Sequence, residues 1–181
     1  MSEIKIYNLR IVPPNPLYTE VNNFKSIFID TFGKQPLSKS KPHITLAVFE
    51  MDVHYQEFLI KAFNQLSSIK QFKLNIQEFD IFDTSNVLVL KVPSTETIEY
   101  LQTQIKILWI RELHRKHSSL IIPTTPYITI SKTNSKKMLY DSLDFFRRID
   151  IPNKQIDVNH LVLVSRHKGR TWDWKHDIKL S

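Results

Sequence analysis

The chain has no cysteine and only two glycines, Gly33 and Gly169, in 181 residues. Without cysteine there is no disulfide framework, no thiolate zinc site and no cysteine nucleophile, and such a composition suits a reducing cytoplasm. Two isolated glycines cannot build a glycine-rich phosphate loop or a dinucleotide fingerprint, which removes P-loop ATP chemistry and Rossmann-type NAD binding. Long apolar runs are missing too. Charges interrupt each one well short of the roughly 18 residues a membrane span needs. The opening Met1-Ser2-Glu3-Ile4-Lys5 leads into no apolar stretch of the signal-peptide kind. Dense Asp, Glu or His clusters at ligand spacing are lacking, so no metal and no cofactor are expected. The expectation is a soluble, cytoplasmic protein without a membrane partner.

What is present is ordinary globular material: 41% hydrophobic and 24% charged residues, enough for one sizeable domain, expected as a monomer. The formal net charge of +7 favours phosphate-bearing partners, or else describes solvated basic faces.

Periodicity predicts alternating strands and helices. Ile4 to Ile11 rises into a strand that Pro13 and Pro14 stop. Leu17, Val21, Phe24 and Phe28 share a helical face, and Gly33 stands at the C-cap position. His43 to Phe49 is a β-favouring run entered through Pro42. A second helix, over about residues 53 to 67, carries Tyr55, Phe58, Ala62 and Leu66, and strand-like runs follow from Phe72 to Phe82 and Val87 to Val92. Ser94 offers an N-cap oxygen to a third helix striped by Ile98, Leu101, Ile105 and Leu108. Pro126 opens a second short β run to Lys132. A fourth helix carries Leu139, Leu143 and Phe146, ahead of a strand around Ile156 to Val164, a turn at Lys168-Gly169 and a last strand from Thr171 to Ile178.

Side by side, the two halves read strand, helix, short strand, helix, strand. Val12-Pro13 matches Val92-Pro93, and Pro42 to Leu46 matches Pro126 to Ile130. The chain is expected to be internally duplicated, two copies facing each other across a cleft about a pseudo-twofold axis. In a strand, side chains at i and i+2 share a face, so His43 points with Thr45 and Tyr127 with Thr129. A neutral imidazole can take a proton from an attacking water, and threonine hydroxyls can donate to non-bridging phosphate oxygens. That set suits a phosphodiester.

Pro42-His43-Ile44-Thr45-Leu46 and its partner around Tyr127-Ile128-Thr129-Ile130 resemble the paired HxTx motifs of the two-histidine (2H) phosphoesterase superfamily, in its 2'-5' RNA ligase-like, cyclic phosphodiesterase branch. The resemblance spans nearly the whole chain, including the duplication and the spacing of about 80 residues between motifs. It implies an α/β fold in α+β layout, bilobal, with two mixed, mostly antiparallel sheets around a central cleft and helices outside. Residues 1–181 would then form one domain of two pseudo-symmetric lobes, with motifs at 42–46 and 126–130. The resemblance further implies a hydrolase that cleaves 2',3'-cyclic phosphate or 2'-5' phosphodiester bonds of RNA or nucleotides without a metal. His43 would take one proton-transfer role, while Thr45 and Thr129 hold the phosphate.

Tyr127 stands where that family has its second histidine. A phenol of ordinary pKa about 10 is a donor at neutral pH and cannot cycle as a base. Three accounts stay open: an enzyme of weakened activity with Tyr127 supporting the leaving or attacking oxygen, a non-catalytic nucleotide- or RNA-binding module, or a natural or engineered replacement of the histidine. Lys132, just along the strand from Tyr127, and Arg166 and Trp172, near the C-terminal turn with Lys168 and Arg170, are the candidate substrate-binding residues. Trp172 and Trp174 are expected on one strand face, with Trp174 the better core candidate. Arg111, His114, Arg115, Lys116 and His117 read as a basic helix end, and His54, His160, His167 and His176 as surface residues.

Overall fold

A computed structural model describes residues 3–113, 119–152 and 154–181. The chain runs β1 (Ile4–Ile11), α1 (Leu17–Phe32), β2 (Ile44–Asp52), α2 (Gln56–Phe63), β3 (Phe72–Asn75), β4 (Phe79–Phe82), β5 (Val87–Lys91), α3 (Glu96–Leu108), β6 (Leu120–Ile121), β7 (Tyr127–Lys132), α4 (Lys136–Phe146), β8 (Gln155–Val158), β9 (His160–Arg166) and β10 (Trp174–Lys179). The fold is mixed α and β in the expected α+β layout. Among the described residues every strand pairing is antiparallel, and no helix is long and apolar enough to cross a membrane. His114, Arg115, Lys116 and His117 lie outside the described residues.

The first helix follows its pattern: Leu17, Val21, Phe24 and Phe28 are buried. It ends where Gly33 takes φ 81°, a left-handed value that costs glycine little, with its N–H on the Ile29 carbonyl at 2.9 Å. Elsewhere the boundaries shift for identifiable reasons. Thr95, not Ser94, caps α3, because it is Thr95 that lies three residues ahead of Ile98, whose N–H its hydroxyl accepts at 3.3 Å. The second helix is only α2 flanked by 3₁₀ turns over residues 53–55 and 64–68. Leu59, Ala62, Phe63 and Leu66 are buried while Tyr55 and Phe58 are exposed, because Phe63 stacks on Phe49 and that contact sets the face. The run from Phe72 to Phe82 divides into β3, which pairs with β8, and β4, which pairs with β5. The run from Ile156 to Val164 likewise divides at Asn159, and the last strand begins at Trp174 rather than Thr171.

The main sheet has the order β10-β9-β1-β2-β7-β5-β4, with β6 beside β2. Its two sides meet at a single bridge, Ile44 opposite Ile128. Outward from that bridge the registers match. Arg10 faces Thr45 and Leu9 faces Ala47, which leaves Leu46 as an extra residue; Val89 faces Thr129 and Leu88 faces Ser131, which leaves Ile130 extra. The same bulge thus follows the threonine on both sides.

The spatial halves are not the sequence halves. Phe28 of α1 packs on Phe146 of α4 at 6.3 Å, and Phe24 of α1 on Phe79 of β4 at 5.2 Å, so α1 serves the side that holds β7, β5 and β4. Trp109, in the π-helical turn that follows α3, packs on Phe49 of β2 at 5.0 Å. Strands β9 and β10 extend the side of β1 and β2, and β4 the other. Elements of both halves of the sequence thereby build each side, and a single core of described residues runs through the two. Phe146 also meets Phe79 at 5.0 Å and ties α1, α4 and β4 together. Phe146→Ala should therefore cost about 3–5 kcal/mol of stability, read as a shift of the urea midpoint at unchanged slope; a loss below about 1 kcal/mol would show that this junction is not needed.

Candidate functional site

Ile44 and Ile128 are fully buried. By strand alternation their neighbours His43, Thr45, Tyr127 and Thr129 lie on the opposite face, and all four are half-buried. The antiparallel bridge at Ile44 and Ile128 sets His43 beside Thr129 and Thr45 beside Tyr127. The four residues expected to act together are thus brought to one place.

His43 is held in a defined form. Its Nδ1 lies 2.7 Å from the Lys41 carbonyl, an acceptor only, so Nδ1 carries the proton and Nε2 keeps its lone pair. Burial, and then the charge of Arg10, push its pKa down to about 4, with Lys25 adding to the shift against the Lys41 hydrogen bond. At neutral pH the ring is therefore a neutral acceptor. Thr45 is fixed from the other side: Asn8 Nδ2 donates to Thr45 Oγ1 at 3.2 Å, and Arg10 Nε donates to Asn8 Oδ1 at 3.0 Å. Arg10 orients the amide and the amide occupies an acceptor site of the hydroxyl, leaving the Thr45 proton free to donate.

Tyr127 is packed differently from His43. Its ring meets Phe82 edge-on at 4.7 Å, and the residue opposite it on β5 is Lys91, which pairs with Asp80 at 3.8 Å. Lys132 is exposed beyond the bulge, with its backbone N–H on the Pro36 carbonyl at 2.9 Å. Arg166 and Trp172 lie on the β1 side, and the guanidinium carbons of Arg10 and Arg166 sit 4.4 and 4.6 Å from the indole centre of Trp172. Trp172 and Trp174 do not share a strand face. Trp172 precedes β10, whereas Trp174 sets its edge against the core residue Tyr7 at 6.2 Å. Arg166 and Trp172 thus stand with Arg10 on the β1 side, and Lys132 stands at the end of β7 on the other.

Three residues were missed in the sequence. Asn8 and Arg10 stand at i and i+2 of β1, so both share a face opposite the apolar Tyr7, Leu9 and Ile11; that alternation was the available signal. Lys25 gave none, since it looks like any helix lysine. It is buried, and its ammonium donates to the carbonyls of Ile130 at 2.9 Å and Leu37 at 3.2 Å and to the Ser40 hydroxyl at 3.2 Å. Among the other histidines, His54 lies on Asp52, His167 on Glu3 and His176 on Asn64, and among the described residues no group of three or more His, Asp or Glu is placed to hold a metal.

The family model described as the 2'-5' RNA ligase superfamily matches residues 13–170. No curated protein sequence matches the chain. Among solved structures it is similar to Escherichia coli LigT complexed with 3'-AMP, at 14% identity over 97% of this chain and 98% of that one, with a TM-score of 0.62. LigT complexed with phosphate is 16% identical, over 98% and 99%, at 0.59, and the protein TT0787 of Thermus thermophilus is 14% identical, over 97% and 98%, at 0.64. At such identities the likeness is one of fold.

The state of His43 has two measurable consequences. By NMR its ring should titrate near pH 4, and inorganic phosphate bound beside it should raise that midpoint. The unfolded chain, with a histidine pKa of about 6.5, takes up this proton first, so the His43 contribution to stability is present above about pH 6.5 and is lost as the pH falls toward 4. An NMR midpoint above 6 would show that neither the burial of the ring nor the cations around it lower its pKa as described.

Proposed function

Because the chain belongs to the 2'-5' RNA ligase superfamily, we propose that it is a metal-independent phosphodiesterase of the two-histidine type, hydrolysing 2',3'-cyclic phosphate or 2'-5' phosphodiester bonds of RNA or nucleotides. One observation carries the reading: a neutral His43 with a free Nε2 stands next to a Thr45 hydroxyl whose proton is left to donate. In this reading His43 is the base. Water attacks phosphorus, Nε2 takes the water proton, and the bond from phosphorus to one ribose oxygen breaks. Thr45 and Thr129 donate to the non-bridging oxygens, where charge accumulates. The Tyr127 phenol donates to the leaving ribose oxygen and is reprotonated from solvent. A base with a pKa of about 4 is weak, and the bound phosphate's own negative charge strengthens it. Lys132 approaches the phosphate from the β7 side, and Arg166 and Trp172 hold the nucleotide from the β9 side. The nucleotide and phosphate complexes of the similarly folded LigT support a ligand of this class.

Tyr127 packed on Phe82 favours a second reading, a nucleotide-binding module without turnover. Hydrolysis of a 2',3'-cyclic nucleotide in EDTA separates the two. The enzyme predicts turnover that His43→Ala lowers by about 10²–10⁴-fold while binding persists. Turnover gained only in Tyr127→His would make the present chain the binding module, and no turnover in any form would overturn the phosphodiesterase reading altogether.

A further inference from the structure

Among the described residues, two arginines beside the site lack a counter-charge. Arg10 is only 4% exposed, and its Nη2 is buried with no hydrogen-bond partner. Arg166 donates from Nη1 to the Arg170 carbonyl at 3.1 Å, but its Nε is likewise buried and unpartnered. Burial and the neighbouring Arg166 pull the Arg10 pKa down to about 10, which leaves it charged at neutral pH. Folding has therefore placed two like charges in a poorly hydrated corner with donors unused, an arrangement that is costly unless an anion joins it.

The anion is not one of the protein's own carboxylates. The cavity into which Arg10 opens, about 370 Å³ in volume, is also lined by Tyr18, Lys41, Trp172, Asp173 and Asp177. Asp173 is paired with Lys5 at 3.3 Å, and Asp177 with Lys175 at 3.6 Å. This cavity borders His43 through Lys41 and Pro42 and extends over β1, β9 and the start of β10, away from the bridge between β2 and β7. Among the described residues the opposite side has no equivalent of the Arg10 and Arg166 pair. By the matched registers Val87 and Val89 stand where Asn8 and Arg10 do.

Resting on the phosphodiesterase reading above, we propose that this cavity is a second phosphate subsite, in which Arg10, which lines it, and Arg166, stacked on its lining residue Trp172, take a further phosphate of the same ligand while the scissile group lies between Thr45 and Thr129. The ligand then binds in one direction only, its second phosphate on the β9 side. That phosphate belongs either to the 5' position of a mononucleotide or to the next linkage of a strand.

The test is the affinity, by calorimetry on the His43→Ala chain, of three ligands: a 2',3'-cyclic mononucleotide, the same nucleotide with a 5'-phosphate, and a dinucleotide ending in a 2',3'-cyclic phosphate. A second phosphate should tighten binding about tenfold or more, the scale of a charge-assisted hydrogen bond, and whichever of the two carriers gains identifies its source. Arg10→Gln and Arg166→Gln should bring the ratio close to one, with Arg10→Lys, which keeps the charge, retaining part of the advantage. Equal affinity for ligands with one and two phosphates, or an advantage that the arginine variants leave untouched, would overturn the subsite. Turnover of the same ligands by the unsubstituted chain keeps the two readings apart: a ratio of one with turnover intact removes only the subsite, and a full ratio without turnover removes only the hydrolysis.

Discussion

The arrangement of the site depends on one antiparallel bridge, Ile44 opposite Ile128, where the two sides of the main sheet touch. A single ladder step fixes little by itself. What keeps it in place is packing on either side, because α1 lies under the strands of the far side and Trp109 under those of the near one, so separating β2 from β7 would open the shared aromatic core. Lys25 adds a polar tie at the same place. Its ammonium joins Leu37 and Ser40, in the segment that leads to His43, to the carbonyl of Ile130, the bulge residue just after Thr129. A buried charge persists where its donors are satisfied, and this one has three acceptors, although burial still draws its pKa down to about 8. One helix residue thereby registers the histidine-bearing segment of one motif against the threonine-bearing strand of the other.

From that frame follows an electrostatic division. On the β1 side Asn8 and Arg10 accompany the motif threonine, and on the β5 side Val87 and Val89 do. Burial and, after it, the charge of Arg10 hold His43 neutral, whereas the Tyr127 ring lies against Phe82 with Lys91 opposite it on β5. The imidazole and the phenol at related positions therefore have unlike surroundings: burial and a neighbouring cation keep the first unprotonated, and the second packs edge-on against an aromatic ring. The two sides of the sheet match in the bulge that follows each motif threonine and differ in the charge beside it.

Much of this was legible in the sequence. The strand and helix order and the C-cap at Gly33 follow from local rules, period two in strands, period three to four in helices, proline and glycine at the ends, and the meeting of His43, Thr45, Tyr127 and Thr129 was expected from the repeat of the two halves and the family resemblance. What was not legible depends on partners distant in sequence. Whether Phe58 or Phe63 faces inward is decided by Phe49, and the run from Phe72 to Phe82 is divided because β8 and β5 claim its two ends. Asn8 and Arg10 acquire their roles only when β1 lies beside β2, and Lys25 only when α1 lies across β7. That α1 packs on the strands of the far side is invisible to any reading that takes each half of the sequence as its own unit, because similar patterns in two halves do not say which half covers which.

The net positive charge illustrates the same point. Many lysines are ordinary solvated partners: Lys137 sits on Asp141, Lys136 on Asp83, Lys73 on Asp157 and Lys91 on Asp80, all exposed or nearly so. Pairs of this kind contribute little to stability and say little about a ligand. Arg10 and Lys25 are of another kind, since each is buried and neither is balanced by a carboxylate. Lys25 resolves its charge on carbonyls and a hydroxyl of the protein and so acts within the fold, whereas Arg10 keeps a buried donor without a partner. The proposed phosphate subsite therefore rests less on the total of +7 than on the few cations whose hydrogen bonds the protein leaves incomplete.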